Sequence, residues 1–284
     1  MAALFIDRDN KEYSAEDVYE SLISIGAHDC DALFIHSDIM LGRTPPGFKR
    51  AKYLEELEQV FLKLGVRSLI FPTFTYSFCN NEAYDVNVSK TSMGAFNEYM
   101  RKREGRYRTL DPLLSVSVPE SLREHFENPG DHSLGQGSAL DVLHNTDGVK
   151  FLFFGVRMGC CFTYLHYIEK MLDVKYRFDM PFEGKIIDHS GNCFSKTQYI
   201  HTACFGVKPA DFYYFEDEME EKGFLNKVRL GDSLAACISE KDAYREISDK
   251  IHGNINYFLE KPFTDADLEH RYTKGLDGSR VTHC

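Results

Sequence analysis

Apolar residues recur with helix-like and strand-like spacings in turn along the first seventy residues. The segment Ser14–Asp17 resembles a capping box, and the apolar spacing after it predicts a helix that ends near Ile25. The apolar run at residues 32–35 predicts a strand, residues 49–63 predict a second helix, and residues 67–71 predict a second strand. This alternation of helices and strands is typical of α/β folds with a largely parallel sheet.

Similar patterns continue through the rest of the chain. Three further strands are predicted at residues 115–118, 151–154 and 196–205, whereas residues 106–112 and 176–191 are predicted to be a loop and a turn-rich segment. Further helices are predicted at residues 92–103, 119–126, 138–144, 209–221 and 240–258. We therefore predict an α/β fold with a central mixed, largely parallel sheet flanked by helices. We expect one domain over residues 1–284, of which residues 259–284 form a polar tail.

Composition and charge narrow the class of protein. The chain has 284 residues, of which 43% are hydrophobic and 27% are charged, as in ordinary globular proteins. The net charge of -11 argues against a nucleic-acid partner; it would suit a cationic substrate, but many cytosolic proteins are equally acidic. The eight cysteines lack the spacing of a zinc site or a disulfide framework, and no apolar run has the length of a signal peptide or membrane span. We expect a cytoplasmic monomer or homodimer without a metal and without a membrane partner.

A carboxylate and an imidazole are placed together after the strand at residues 151–154. The chain turns through Gly155 and Gly159 and enters a predicted helix in which His166 and Glu169 are three residues apart, so both lie on one face. This pair suits general-base catalysis, because histidine titrates at about 6.5 and the carboxylate can fix its tautomer. Taken alone, such a histidine is more often a structural core residue.

Polar residues also follow the first two predicted strands, where α/β folds commonly bind ligands. The hydroxyl of Ser37 and neighbouring backbone amides can bind a diphosphate. Basic residues follow at Arg43, Lys49, Arg50 and Lys52. Thr73 occupies the matching position one strand over. A solvated loop, a charged helix face and an ordinary strand end would leave the same residues there, so both interpretations stay open.

Two further segments are weaker indications of a site. Asp111 precedes Pro112, a combination typical of turns. The glycine-rich segment 132–138 runs into a predicted helix and could bind an anion, although this pattern alone is not specific.

Six segments, taken in order, resemble the motifs of the aminoglycoside 3-N-acetyltransferase family. They are HSDIMLG at 36–42, PTFTY at 72–76, MGAFNEYMR at 93–101, RTLDPLLSVS at 108–117, HSLGQGSALDVL at 132–143 and FFGVRMGCCFTYLHYIEK at 153–170. The resemblance covers about residues 15–205 and implies direct transfer of an acyl group from acetyl-CoA, or another acyl-CoA, to an amine.

The resemblance also implies roles for single residues. It places the catalytic base at His166, with Glu169 beside it, and a hydroxyl near the thioester at Thr73. The residues that it implies for cofactor binding are Ser37, Asp38, Ile39, Thr73 and Ser115. No metal takes part in the implied reaction.

Two residues depart from the family pattern, and the prediction of the acyl acceptor depends on them. Asp111 stands where the family usually has histidine before proline, and Asp38 stands where the second serine of the loop is usual. Asp111 could orient His166 or bind the substrate amine. From these departures we predict that the acyl acceptor is an amine of a nucleotide-linked deoxyamino sugar, as used in lipopolysaccharide biosynthesis. The alternative acceptor is an aminoglycoside, as in antibiotic resistance.

Two other classes of protein remain open. In a thiol hydrolase or acyltransferase, Cys160 or Cys161 would be the nucleophile and His166 the base. Adjacent cysteines after a strand are more often small buried residues. The third class is a sugar or nucleotide binder that has kept the fold and lost the chemistry.

Overall fold

A seven-stranded sheet forms the centre of the computed structural model, which describes residues 3–269, 272–274 and 280–282. The strands are β1 (Ala3–Ile6), β2 (Glu12–Ser14), β3 (Ala32–Ser37), β4 (Ser68–Pro72), β5 (Tyr84–Asp85), β6 (Arg106–Arg108), β7 (Val116–Pro119), β8 (Val149–Phe154), β9 (Arg177–Ile187), β10 (Cys193–Ala203), β11 (Leu225–Leu230), β12 (Ser233–Ser239), β13 (Tyr272–Lys274) and β14 (Arg280–Thr282). The α-helices are α1 (Ala15–Ser24), α2 (Arg50–Lys63), α3 (Ala95–Met100), α4 (Arg123–Phe126), α5 (Ala139–His144), α6 (Met158–Cys161), α7 (Tyr164–Met171), α8 (Tyr213–Glu221), α9 (Glu240–Gly253) and α10 (Asp265–Glu269).

The predicted α/β fold with a mixed central sheet is confirmed, but its parallel part is limited to three strands. The strand order is β11-β12-β8-β3-β4-β7-β6. The pairs β3–β8 and β3–β4 are parallel, whereas the outer pairs are antiparallel. The outer strands form hairpins because their connections, residues 231–232 and 109–115, are too short for a crossover.

Both faces of the central strands are buried, which explains their continuous apolar runs. In β8, Phe151 and Phe153 belong to one hydrophobic core and Leu152 and Phe154 to the other. Helices α1 and α2 cover the second core, and α7 and α9 cover the first. The capping box of Ser14 and Asp17 is present at the start of α1.

Several predicted elements were wrong. Residues 106–108 form β6 rather than a loop, and residues 177–187 form β9 rather than turns. Strand β9 pairs with β10 over eleven residues, and β5 adds to this second sheet. The helix predicted at 92–103 is confined to α3. The helix predicted at 209–221 begins later, as α8, and the helix predicted at 240–258 ends earlier, as α9. The hairpin β11–β12 was not predicted.

The division into one domain and a tail from residue 259 stays a prediction. Helix α10 and the hairpin β13–β14 lie in the predicted tail, and residues 270–271, 275–279 and 283–284 lie outside the described residues. No helix in the described part of the chain combines the length and apolar character needed to cross a bilayer.

Candidate active site

The carboxyl ends of β3 and β4 open into a cavity of about 890 Å³, which we call the donor cavity. Ser37, Asp38 and Ile39, the predicted cofactor loop, line it. The residues that complete its wall come mainly from the loop before α2, from α2 itself and from the start of α3, and they include Phe48, Arg50, Tyr53, Met93, Gly94 and Asn97. The loop therefore lies where a ligand can reach it, and Arg50 brings a positive charge to the same cavity.

Hydrogen bonds to neighbouring elements hold the donor-cavity loop in place. The backbone N–H of Asp38 donates to the Phe154 carbonyl at 2.8 Å, and the Ser37 hydroxyl donates to Oδ1 of Asn97 at 2.8 Å. Gly155 has φ of 74°, and a Cβ added there would lie 1.8 Å from the Asp38 carbonyl oxygen. Glycine is thus required for the close approach of these two loops.

The structure does not bring Thr73 and Ser115 to any of the cavities described here. Both residues are fully buried, and the Thr73 hydroxyl lies 3.1 Å from both the carbonyl oxygen and the hydroxyl of Ser115. The guanidinium of Arg108 donates to Oγ1 of Thr73 at 3.2 Å and to its carbonyl oxygen at 2.7 Å. The predicted contacts of Thr73 and Ser115 with the thioester and the cofactor are therefore corrected: β7 and Arg108 cover these hydroxyls.

Asp111 is also separated from His166. Its Oδ1 accepts hydrogen bonds from the backbone N–H groups of Leu113 and Leu114 at 2.8 and 2.9 Å and from the Ser133 hydroxyl at 2.9 Å. Burial raises the pKa of Asp111, and these hydrogen bonds oppose that effect. Asp111 is therefore a turn former, and the proposed alternatives of orienting His166 or binding the substrate amine are corrected.

Helix α7 places His166 beside Glu169, as its spacing predicts. Nδ1 of His166 lies 2.7 Å from Oε2 of Glu169, and the Tyr176 hydroxyl donates to Oε1 of Glu169 at 2.7 Å. Nε of Arg177 forms an ion pair with Oε2 of Glu169 at 2.7 Å. Tyr176 and Arg177 were not predicted as site residues, because the sequence indicated only turns there.

The charges around this pair determine the form of His166. Burial alone would raise the pKa of Glu169, but Arg177, His166 and Tyr176 outweigh it and lower that pKa to about 2. Glu169 is therefore ionised. Nη2 of Arg177, a donor, also lies 2.9 Å from Nδ1 of His166, but the carboxylate oxygen at 2.7 Å can only accept, so we assign the proton to Nδ1 and leave Nε2 unprotonated. Desolvation and the charge of Arg177 lower the pKa of His166, so the imidazole is neutral at neutral pH.

His166 lies where two further cavities meet. A cavity of about 390 Å³, the middle cavity, and one of about 490 Å³, the acceptor cavity, are both lined by Tyr76, Thr163, His166, Arg177 and Pro209. Met93 and Cys161 line both the middle cavity and the donor cavity. The side chain of His166 is 35% exposed. The donor cavity thus adjoins the middle cavity, and the middle cavity adjoins the acceptor cavity. The imidazole lines the middle and acceptor cavities.

Cys160 and Cys161 line the middle cavity, but no hydrogen bond joins either thiol to His166 in the described part of the structure. Both sulfurs donate to the Arg157 carbonyl, at 3.2 and 3.3 Å. A hydrogen bond from Cys161 lowers the pKa of Cys160 to about 6, although burial opposes it, and Tyr213 contributes in the same direction. The lowered pKa favours the thiolate of Cys160, but the two thiols lack the geometry of a Cys–His catalytic pair.

Among the described residues, no group of three or more histidine, cysteine, aspartate or glutamate side chains is arranged to hold a metal ion. The polar groups that line the three cavities are instead the imidazoles of His36, His166 and His201, the carboxylates of Asp38, Glu169 and Asp211, the guanidinium groups of Arg50 and Arg177, and several hydroxyls. This set of side chains fits acid–base chemistry on an organic substrate.

Comparison with known proteins defines the class to which this fold and site belong. The model of the aminoglycoside 3-N-acetyltransferase family matches residues 52–251. The chain belongs to this family and is an acyl-CoA-dependent N-acyltransferase, which confirms both predictions. None of the curated proteins compared with the chain matches it.

Several solved structures share the fold of this chain. The aminoglycoside acetyltransferase AAC(3)-IVa, as apoenzyme, is 18% identical, with a TM-score of 0.68 over 89% of this chain and 93% of that one. AAC-VIa bound to sisomicin is 13% identical, with a TM-score of 0.69 over 86% and 98%. The YokD protein from Bacillus subtilis is 16% identical, with a TM-score of 0.68 over 86% and 94%.

Proposed function

We propose that the protein transfers an acetyl group, or another acyl group, from acyl-CoA to an amine of an amino sugar. The observation that carries this proposal is the position of His166: a neutral imidazole, held by an ionised carboxylate, at the junction of cavities that continue into the donor cavity.

The donor cavity supports the binding of an acyl-CoA. Its volume of about 890 Å³ suits a large cofactor, and Arg50 with the Ser37–Ile39 backbone can bind phosphate groups. Met93 and Cys161, on the shared wall, mark the route by which a pantetheine arm can approach His166.

His166 is the general base of the proposed reaction. Its Nε2 takes a proton from the acceptor ammonium, and the neutral amine then attacks the thioester carbonyl. The C–S bond breaks, and the departing CoA thiolate accepts the proton held by His166. The attacking nitrogen loses its second proton to water, which leaves the amide and regenerates the neutral imidazole. Thr163, whose hydroxyl has no hydrogen-bond partner among the described residues, lines both cavities beside His166 and replaces Thr73 as the proposed donor to the oxyanion.

The chemical class of the acyl acceptor is inferred from the comparisons with known proteins more than from the geometry of the site. One neighbour, AAC-VIa, is described as bound to sisomicin, and a mutant of AAC(3)-IVa is described as in complex with a gentamicin. Together with the family match, they support an aminoglycoside better than the nucleotide-linked deoxyamino sugar that the sequence predicted. An amino sugar is common to both alternatives.

Thiol release from acetyl-CoA tests the proposal directly. The purified protein is incubated with acetyl-CoA and gentamicin, sisomicin, single-amine sugars and dTDP- or UDP-linked amino sugars, and the acetylated product is identified by mass spectrometry. We expect amine-dependent CoA release that His166→Ala abolishes. Binding of an amino sugar without CoA release or acetyl-CoA binding would favour the non-catalytic binder instead.

A further inference from the structure

Carboxylates are scarce around the reacting position. Among the described residues, Glu169 and Asp211 are the carboxylates that line the middle and acceptor cavities. Glu169 is already engaged by Arg177, His166 and Tyr176. Asp211 is therefore the carboxylate beside His166 that is still available to a ligand cation.

The backbone holds Asp211 at the middle cavity from both sides. The N–H of Ala210 donates to the Phe258 carbonyl at 3.0 Å, and the N–H of Phe212 donates to the Gly159 carbonyl at 2.9 Å. The Asp211 side chain is exposed, and no hydrogen bond or ion pair joins its carboxylate to another described residue. A fixed main chain with an uncommitted carboxylate is suited to pairing with an ammonium.

Among the described residues that line the acceptor cavity, none carries a carboxylate that could pair with further positive charges. The walls of this cavity are largely apolar, with Met180, Phe182 and Ile200 projecting from the β9–β10 hairpin. His201, in the same wall, is neutral, because burial lowers its pKa to about 4. An ammonium transferred from water into these surroundings would lose hydration without gaining a counter-charge.

From this arrangement we propose that Asp211 binds the ammonium of the acceptor before His166 removes its proton, and that one ammonium is sufficient for recognition. The inference rests on the acyl transfer proposed above and names a substrate class within it. That class is a sugar with a single amine, whose remaining groups are uncharged hydroxyls and apolar carbons. Additional ammonium groups of an aminoglycoside would lie outside the acceptor cavity and contribute little.

Steady-state kinetics of Asp211→Asn test the proposed contact. Because the contact is made to the ground-state ammonium, we expect the KM for methyl 2-amino-2-deoxyglucoside to rise about 5- to 10-fold while kcat changes less than about twofold. The wild-type KM should also rise between low and high NaCl, and the KM of Asp211→Asn should not, because salt screens an exposed ion pair.

Asp249→Asn is the matched control, since Asp249 is an exposed aspartate on α9 outside all three cavities. An unchanged KM in Asp211→Asn, or the same increase in Asp249→Asn, would overturn the role of Asp211. Turnover of gentamicin but not of any single-amine sugar would overturn the substrate class while leaving acyl transfer intact. The absence of CoA release with every amine would instead refute the proposed function, and this inference with it.

Discussion

Nε of Arg177, at the start of β9, lies 2.7 Å from Oε2 of Glu169 on α7. The two side chains are almost completely buried, at 5% and 2% exposure. The ion pair joins the long β9–β10 hairpin to the helix that carries His166. It also sets the protonation states of the site, because Arg177 keeps Glu169 ionised and disfavours a proton on His166.

Arg177→Gln should therefore destabilise the protein. Removing one partner of a buried ion pair costs about 3 kcal/mol or more, because the other charge is left buried and unpaired. Arg177 is also the largest of the groups that lower the pKa of Glu169 from 4.5 to about 2. Because the folded pKa is depressed, this contribution is present above pH 4.5 and is lost as the pH falls towards 2. We expect the variant to be about 3 kcal/mol less stable at pH 7, with a smaller difference from the wild type at about pH 3, as measured by urea unfolding.

Arg157→Gln provides the comparison for Arg177→Gln. Arg157 pairs with the buried Glu216 at 2.9 Å but lies outside the three cavities. Its removal should reduce stability without changing the pH dependence of catalysis. If Arg177→Gln unfolds at the same urea concentration as the wild type at neutral pH, the ion pair does not stabilise the fold.

The sequence predicts the base but not the residue that controls it. His166 and Glu169 are three positions apart in one helix, so their contact follows from helix geometry alone. The position of Arg177 is not evident from the sequence, because β9, which begins with it, contains Pro181 and Gly184, and both residue types usually interrupt strands. Gly184 is required there, since a Cβ would lie 2.5 Å from the ring of Phe78.

Strand ends are a second limit of sequence-based prediction. The hydrophobic pattern correctly places Ser37 and Thr73 at the carboxyl ends of the neighbouring parallel strands β3 and β4. It does not show which other parts of the chain cover these strand ends. Ser37 faces the donor cavity, whereas the backbone N–H of Thr73 donates to the Ser115 carbonyl at 2.8 Å and extends the β4–β7 pairing. The antiparallel return of β7, which the helix–strand alternation does not indicate, and the guanidinium of Arg108 together bury Thr73.

His166→Ala should lower kcat by about 10²–10⁴-fold, the usual range for a positioned general base. The donor cavity does not include His166, so the Kd for acetyl-CoA should stay within about twofold of the wild-type value in calorimetry. His125→Ala, on α4, is the control for replacing a histidine outside these cavities. Normal turnover by His166→Ala would remove this residue from the mechanism.

The pH dependence of kcat/KM should report the same imidazole. Desolvation and Arg177 lower the pKa of His166 below its ordinary value of 6.5, so the base is unprotonated at neutral pH. Activity should fall as the pH decreases through this lowered pKa, and the acid limb should therefore lie below pH 6.5. In Arg177→Gln that limb should move to higher pH, and in Arg157→Gln it should not. An acid limb unchanged in Arg177→Gln would contradict the assignment.

Gly155→Ala should displace the loop of Ser37, Asp38 and Ile39 that lines the donor cavity. An alanine Cβ would overlap the Asp38 carbonyl oxygen at 1.8 Å and would also hold a φ of 74° that alanine disfavours. We expect a loss of about 3 kcal/mol in stability and weaker binding of acetyl-CoA. Gly191→Ala shares the positive φ, at 82°, but has open space around its Cβ, so it should cost only about 1 kcal/mol. Equal losses in the two variants would show that the contact with Asp38 is unimportant.

Replacement of both Cys160 and Cys161 by alanine should leave acetyl transfer within about threefold of the wild type. A catalytic thiol must reach its base by a hydrogen bond, and both sulfurs instead donate to the Arg157 carbonyl. Substitution is more informative here than alkylation: a thiol whose pKa is about 6 reacts readily, and its bulky adduct at Cys160 would obstruct the middle cavity whatever the mechanism. Complete loss of CoA release in the folded double variant, with acetyl-CoA binding retained, would establish the thiol mechanism in place of direct transfer.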